Sequence, residues 1–463
     1  MSGKSTMERT LRNFARACGG RLEGADRAFA GVSSDSRSLS AGDLFVALRG
    51  PRFNGNEFVD AALAAGAAGA VVDVPQPDAL AQIVVADTQA ALSAAGHAWR
   101  QALDIPIVGV AGSNGKTTAK EMTAAILSRA GSTLATRGNL NNHIGVPLTL
   151  LRLEPGYRFA VIEMGANRAG EVAELVKVAR PTVGLITNAG AEHLEGFGSL
   201  EGVARAEGET VAGLAADATA VLNADDEFVS LWRGMTAARV VTFGIASAAD
   251  FRASDLRTTL GAEGFLTRFR LSSPLGQAEI ALHLGGRHNV ANALGAAATA
   301  AAAGATLEQI VAGLGTMRPV PGRLQLKQAA CGAWIIDDSY NANPSSVRAG
   351  IDVLAEIEGR RWLVLGDMAE LGEFADDAHA QIGAFARERG VERLLATGPL
   401  SALAVERFGT GGQWFPDTEA LTRELLRSLS VSVRLLVKGS RVNRLERVVA
   451  ALVGKADDNS DGH

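Results

Sequence analysis

The segment that most constrains this chain is Ile105-Pro-Ile-Val-Gly-Val, running into Gly112-Ser-Asn-Gly-Lys-Thr-Thr and then into an Ala-rich stretch from Ala119 to Ala130. The apolar run reads as a buried strand, the glycines as a tight turn and the stretch after them as a helix. A strand that feeds a helix through a glycine loop belongs in a parallel α/β sheet. It also aims backbone N–H groups and a helix N-terminus at an anion above the loop. In that geometry Gly112, Ser113, Asn114, Gly115, Thr117 and Thr118 cradle a nucleotide's phosphates. Lys116 then neutralises the β/γ oxygens, and the Thr117 hydroxyl is placed for Mg2+. The loop is a tight GxxGKTT form, because the commoner GxxxxGK[ST] pattern needs glycine where Val110 stands.

The same alternation of short apolar runs and Ala/Leu/Glu-rich segments fills the chain. Leu44–Leu48, Phe159–Met164, Val183–Asn188, Trp334–Asp338, Trp362–Gly366 and Leu435–Lys438 read as strands covered on both faces. The expected fold is therefore α/β with mostly parallel sheets. At roughly 150 residues per domain, 463 residues suggest about three domains. Boundaries are expected near Asp104, just before the phosphate-loop strand, and in the Pro/Gly-rich linker Arg318–Arg323, which gives units 1–104, 105–321 and 322–463.

A net charge of −5 excludes a global basic field for nucleic acid or an anionic membrane, so an anionic ligand needs locally placed cations. Cys18 and Cys331, far apart and outside any CxxC spacing, exclude a disulfide framework and a thiolate zinc site. The apolar runs 61–72 and 293–305 are too short for a bilayer span and read as buried helices. A cytosolic, monomeric enzyme is expected, without membrane insertion. Ser2-Gly-Lys-Ser-Thr, which no strand precedes, and the polar tail Lys455–His463 read as disordered.

Glu163 ends an apolar strand, the edge where open α/β sheets bind ligands, and is a candidate Mg2+ ligand. His193, in the loop after the next strand, is a second candidate. Asn289 and Asn292 share one face at the start of an Ala-rich helix, where they could read a nucleobase edge or cap the helix. Arg323 follows the linker and is a candidate phosphate clamp between domains. Asp337, Asp338, Asn341 and Asn343 follow a strand, again on the ligand-binding edge.

These segments also carry a resemblance. GSNGKTT at 112, GNLNNHIGVPLTLL at 138, VIEMGANRAGE at 161, ITNAGAEHLEGFGS at 186, GRHNVANAL at 286, PGR at 321, DDSYNANPSS at 337, GDMAELGE at 366 and KGSR at 438 resemble, in order, the Mur ligase family, MurF type. The resemblance runs from about Ser33 to Arg444. It implies an N-terminal UDP-sugar-binding domain, a central P-loop ATPase and a C-terminal Rossmann-like domain that brings an amine. The implied reaction is ATP-dependent joining of D-alanyl-D-alanine to UDP-N-acetylmuramoyl-tripeptide through an acyl phosphate.

Carried over by motif, Thr117, Glu163 and His193 hold Mg2+, Asn292 contacts adenine, Arg323 the γ-phosphate and Asp338 the ribose, with Asn341 beside it. Ser34, Asp35, Ser36 and Arg37, together with Asn139, Asn141 and Asn142, meet the UDP-muramoyl peptide. Lys438 and Arg441 are candidates for the dipeptide carboxylate or for domain-closure contacts.

Two departures stand out. Asn54-Gly55-Asn56 replaces the family's frequent Asp-Gly-His after the Arg-Gly turn. The A-K-x-E pattern, whose lysine the resemblance implies to be carbamylated, is here Ala206-Glu207-Gly208-Glu209. Glu207 supplies a carboxylate without CO2 on a shorter stem, and is expected to replace the carbamate, reaching Mg2+ through a water. Other classes fit less well. A GTPase needs a guanine-reading NKxD, and Asn223-Ala-Asp-Asp lacks the lysine. Folylpolyglutamate synthase lacks the N-terminal UDP-sugar domain, and a non-catalytic UDP-sugar binder needs no Lys116 with Glu163.

Overall fold

The structure, a computed structural model, describes residues 8–51, 53–76, 81–192, 194–261 and 264–454. His193, Ser2-Gly-Lys-Ser-Thr and the tail Lys455–His463 lie outside the described residues.

Three main sheets follow one another along the chain. The first has five strands in the order Arg21–Glu23, Gln82–Val84, Gly69–Val72, Leu44–Val46 and Val32–Ser33, parallel except for Arg21–Glu23. The second has nine strands. Its centre is Val183–Ile186, Ile107–Ala111 and Phe159–Glu163, side by side and parallel. The third has six, with Trp334–Asp338, Val433–Lys438 and Arg360–Gly366 adjacent and parallel.

Every residue of the three central strands of the second sheet is buried, because helices cover both faces. Alternation splits their side chains. Val108, Val110 and Val161 join one apolar cluster with the helices Lys116–Leu127 and Arg287–Ala302. Ile107, Ala111, Ala160 and Ile162 join another, with Val172, Leu175 and Val176 of the helix Glu171–Ala179. The second cluster also takes in Leu11, Phe14 and Val71, so the first and second sheets share a core through the helix Thr88–Gln101. The Trp99 indole N–H of that helix donates to the Leu153 carbonyl at 2.9 Å.

The run 293–305 lies mostly in the helix Arg287–Ala302, where Ala293, Ala296, Ala297 and Ala300 are buried against the helix Lys116–Leu127. The run 61–72 is a correction. Only its first part continues the helix Val59–Ala64, and Gly69–Val72 is a strand of the first sheet. Four apolar residues do not distinguish a strand from a buried helix, and the neighbouring strands decided it. Sequence reading also missed the antiparallel extension Phe251–Gly261, Gly264–Ser273 and Gly276–Leu282, whose outward positions are polar. Among the described residues no helix is long and apolar enough to cross a membrane.

Candidate active site

The loop after the strand Ile107–Ala111 depends on two glycines. Gly112 has φ +121°, and a Cβ there would sit 2.1 Å from Thr187 Oγ1. Gly115, at φ +81°, caps the helix Lys116–Leu127, and a Cβ would sit 2.2 Å from Asn292 Oδ1. The segment after Val183–Ile186 pins the loop. Thr187 Oγ1 donates to the Asn114 carbonyl at 2.7 Å, and Asn188 Oδ1 accepts from the Asn114 N–H at 3.0 Å. Gly190 N–H donates to Ser113 Oγ at 2.8 Å.

Three carboxylates surround Lys116. Its Nζ donates to Glu192 Oε1 at 2.9 Å and to the Ser113 carbonyl at 3.1 Å. Burial works against its charge, but Glu192, Glu207 and Glu163 outweigh burial and hold the ammonium above its ordinary range. Glu207, from the helix Leu200–Ala212, is buried rather than solvated, and its Oε2 accepts from the Gly112 N–H at 2.6 Å. Burial pushes its carboxyl up to about 7; Lys116 opposes that shift and Glu192 adds to it. Glu209 turns the other way, accepting from the N–H groups of Gly170 and Ala173 at the start of the helix Glu171–Ala179.

Glu163 ends the strand Phe159–Glu163, next to the phosphate loop. Its Oε1 accepts from Asn141 Nδ2 at 2.9 Å and from the Thr117 hydroxyl at 3.3 Å. Among the described residues, its Oε2 is buried without a hydrogen-bond partner. Arg323 Nη2 donates to Thr117 Oγ1 at 3.1 Å, across 206 residues of chain. Among the described residues no group of three or more His, Cys, Asp or Glu side chains forms a metal cage.

The third sheet closes the opposite wall. Asp338 and Lys438 are paired in register at their strand ends, and Lys438 Nζ donates to Asp338 Oδ2 at 2.6 Å and to the Asn341 carbonyl at 3.0 Å. Only 4% of the Lys438 side chain is exposed. Asn343 caps the helix Pro344–Ala355, and its Nδ2 donates to Asn114 Oδ1 at 2.8 Å and to Glu192 Oε2 at 3.4 Å. Asn114 Nδ2 donates to Ser345 Oγ at 2.9 Å. His288 lies in the wall between; burial pushes its imidazole down to about 4, with Asp338 opposing and Lys438 reinforcing the shift.

One cavity of about 460 Å³ collects most of the sequence candidates: residues 113–118, Asn141, Glu163, Asn289, Asn292, Arg323, Asp338, Asn341 and Lys438. The Asn289 amide is used on the Gly285 carbonyl at 2.8 Å, and Asn292 Nδ2 donates to Asn289 Oδ1 at 3.3 Å. Ser34, Asp35, Ser36, Arg37, Asn139, Asn142 and Arg441 do not border the cavity. Arg37 is 88% exposed and binds both oxygens of Asp35, which lowers that carboxyl to about 2. Asn142 Oδ1 accepts from the Ile144 and Gly145 N–H groups at the start of the helix Gly145–Leu150.

Sequence reading missed Glu192, Asn188, Tyr340 and His288 as cavity residues, and did not foresee that Asn343 reaches the phosphate loop. From sequence Asn343 is expected only to follow a strand on the binding edge; that it caps the helix Pro344–Ala355 and faces Asn114 is set by the packing of distant segments.

This arrangement matches known proteins along its length. The Mur ligase middle domain matches residues 110–300, the Mur ligase glutamate ligase domain residues 322–441, and the Mur ligase family catalytic domain residues 28–113. The UDP-N-acetylmuramoyl-tripeptide–D-alanyl-D-alanine ligase of Escherichia coli (strain K12) is 45% identical over 446 residues, 96% of this chain and 98% of that protein. The chain belongs to the Mur ligase family, MurF type. Among MurF crystal structures, one from Acinetobacter baumannii superposes with a TM-score of 0.91 at 34% identity, covering 97% of this chain and 100% of that one. MurF ligase from Thermotoga maritima in complex with ADP gives 0.80 at 26% identity, covering 91% and 97%. In this Mur ligase the phosphate loop and the segment DDSYNANPSS border one cavity and meet at Asn114.

Proposed function

We infer that this protein is an ATP-dependent ligase that joins D-alanyl-D-alanine to UDP-N-acetylmuramoyl-tripeptide in peptidoglycan precursor synthesis. The observation that carries the reading is the convergence of Lys116, Thr117, Glu163 and Arg323 on one wall of a cavity whose other wall is Asp338 and Lys438. The likeness over nearly the full length to the E. coli ligase supports the substrates, and the ADP complex of the T. maritima relative supports the nucleotide. The UDP-linked precursor and ATP put the work in the cytoplasm.

The substrates divide among the three units. Residues 1–104 take the UDP-muramoyl peptide, with Ser34, Asp35, Ser36 and Arg37 at its nucleotide end and Asn139, Asn141 and Asn142 from the neighbouring unit. Residues 105–321 take ATP, with Asn292 at the adenine and Asp338 and Asn341 reaching the ribose from the third unit. Residues 322–463 bring the dipeptide, whose carboxylate meets Arg441, while Lys438 holds Asp338 in place.

The Glu163 carboxylate oxygen that lacks a partner among the described residues, beside the Thr117 hydroxyl, is a hard-oxygen pair of the kind Mg2+ takes together with substrate phosphates. Thr117 and Glu163 would hold that ion, and His193 is a third candidate. When bound, the ion supplies charge neutralisation for the phosphates. Glu207 stands where the family pattern carries a carbamylated lysine, and its buried carboxylate beside Lys116 takes the carbamate's place.

A peptide carboxylate attacking the γ-phosphorus brings two anions together, so the chain's cations carry the step. Lys116 neutralises the β/γ oxygens and Arg323 the transferring phosphoryl group. The carboxylate oxygen forms the new P–O bond as the bond to the β-phosphate oxygen breaks, giving an acyl phosphate and ADP. The dipeptide's free amine then attacks the acyl carbon. Its proton is lost, the tetrahedral intermediate expels phosphate, and the amide remains. Acyl phosphates hydrolyse readily, so the facing walls must exclude water first.

The test is phosphate release from ATP with UDP-N-acetylmuramoyl-tripeptide, with and without D-alanyl-D-alanine. Turnover that requires both substrates is expected, and turnover independent of either overturns the assignment.

A further inference from the structure

Tyr340 has no part in the chemistry above, yet it touches both sides of it. It sits two residues beyond Asp338, at the edge of the strand Trp334–Asp338, and borders the cavity. Its backbone N–H donates to the Gly322 carbonyl at 3.1 Å, which ties it to the residue just before Arg323. Gly322 has φ +70°, and a Cβ there would meet the Tyr340 Cβ and N at 3.3 Å, so the linker packs closely on the Tyr340 backbone.

The Arg323 guanidinium carbon lies 4.5 Å from the ring centroid and that of Arg441 lies 5.7 Å from it. Both are within the range at which an aromatic face attracts a cation. Arg323 continues to Thr117 Oγ1 at 3.1 Å. Arg441, on the turn after the strand Val433–Lys438, is 65% exposed and has Glu446 3.8 Å away. One ring therefore serves a cation at the phosphate loop and a cation at the solvent side of the third sheet. Two guanidiniums that share one ring also repel each other.

We propose that Tyr340 is a positioning residue that couples the two substrate sites, holding Arg323 on the phosphates more firmly once a carboxylate has bound Arg441. A carboxylate on Arg441 removes the repulsion that Arg441 exerts on Arg323 and leaves the ring face to Arg323. Any such coupling is reciprocal: ATP tightens the dipeptide by the factor by which the dipeptide tightens ATP. The proposal rests on the roles given above to Arg323 and Arg441.

The experiment uses the full chain and initial rates, with the ATP KM measured at low and at saturating D-alanyl-D-alanine. In the wild type the ATP KM falls several-fold as the dipeptide saturates. Tyr340→Leu loses that dependence and about tenfold in kcat, since a ring–guanidinium contact in a partly desolvated site is worth about a factor of ten. Tyr340→Phe keeps the ring face and restores both within about threefold. Arg441→Ala, at an exposed position, abolishes the dependence while leaving the thermal transition unchanged. The coupling is overturned if the wild-type ATP KM ignores the dipeptide, if Tyr340→Leu behaves as wild type, or if Tyr340→Phe is as impaired as Tyr340→Leu. A wild-type enzyme whose turnover does not require both substrates would instead overturn the functional reading itself.

Discussion

Lys116 Nζ lies 2.9 Å from Glu192 Oε1, and the other oxygen of that carboxylate lies 3.4 Å from Asn343 Nδ2. The cation assigned to the ATP phosphates is thus held by a carboxylate that also reaches the cap of the helix Pro344–Ala355. Under the proposed function, phosphate and Glu192 compete for the same ammonium.

Glu192→Gln removes the competing charge and keeps the shape. A mostly buried, hydrogen-bonded pair of this kind contributes roughly 1.5 kcal/mol, about tenfold in an equilibrium constant. Titration calorimetry with ATP in the absence of the other substrates should show tighter binding by about that factor. Unchanged or weaker binding would sink the competition.

Glu207 accepts from the first N–H of the phosphate loop, 95 residues away, so its replacement disturbs the loop as well as the charge beside Lys116. Glu207→Ala should lower kcat/KM for ATP by about 10–100-fold, the usual cost of removing a supporting contact at such a site. Glu207→Lys should recover activity only with added bicarbonate, which can carbamylate the new amine. Full, bicarbonate-independent activity in both variants would refute the carboxylate substitution.

His288 supplies a pH test. Its imidazole titrates at about 4 in the folded chain against 6.5 for the free group, because burial disfavours the charged form. Its favourable neutral packing is complete above pH 6.5 and is lost as the pH falls towards 4, where the unfolded chain takes the proton first. Asp338 and Lys438 are the charges that act on it, and they partly offset each other. Thermal unfolding at pH 7.5 and pH 5 should therefore show a larger acid loss for the wild type than for His288→Asn. Equal losses would place the acid sensitivity elsewhere.

Much of this molecule was legible in its sequence because the relevant physics is local. The apolar runs marked the central strands within two or three residues, and the phosphate loop announced both its strand and its helix. Glu163 could be placed on the binding edge because a strand's end is a local property, and the edge of a parallel sheet is where ligands sit.

What the sequence could not reveal is which distant groups meet. Nothing local told that Glu192 would face Lys116, that Asn343 would reach Asn114 or that Arg323 would bond Thr117. Nor did the four-residue run Gly69–Val72 declare itself a strand before its neighbours paired with it. The phosphate loop itself followed from residues adjacent in the chain, through backbone geometry and helix direction. The carboxylates around Lys116 followed only from packing, because Coulomb energy depends on distance and burial, and folding sets both across 47 to 91 residues of chain.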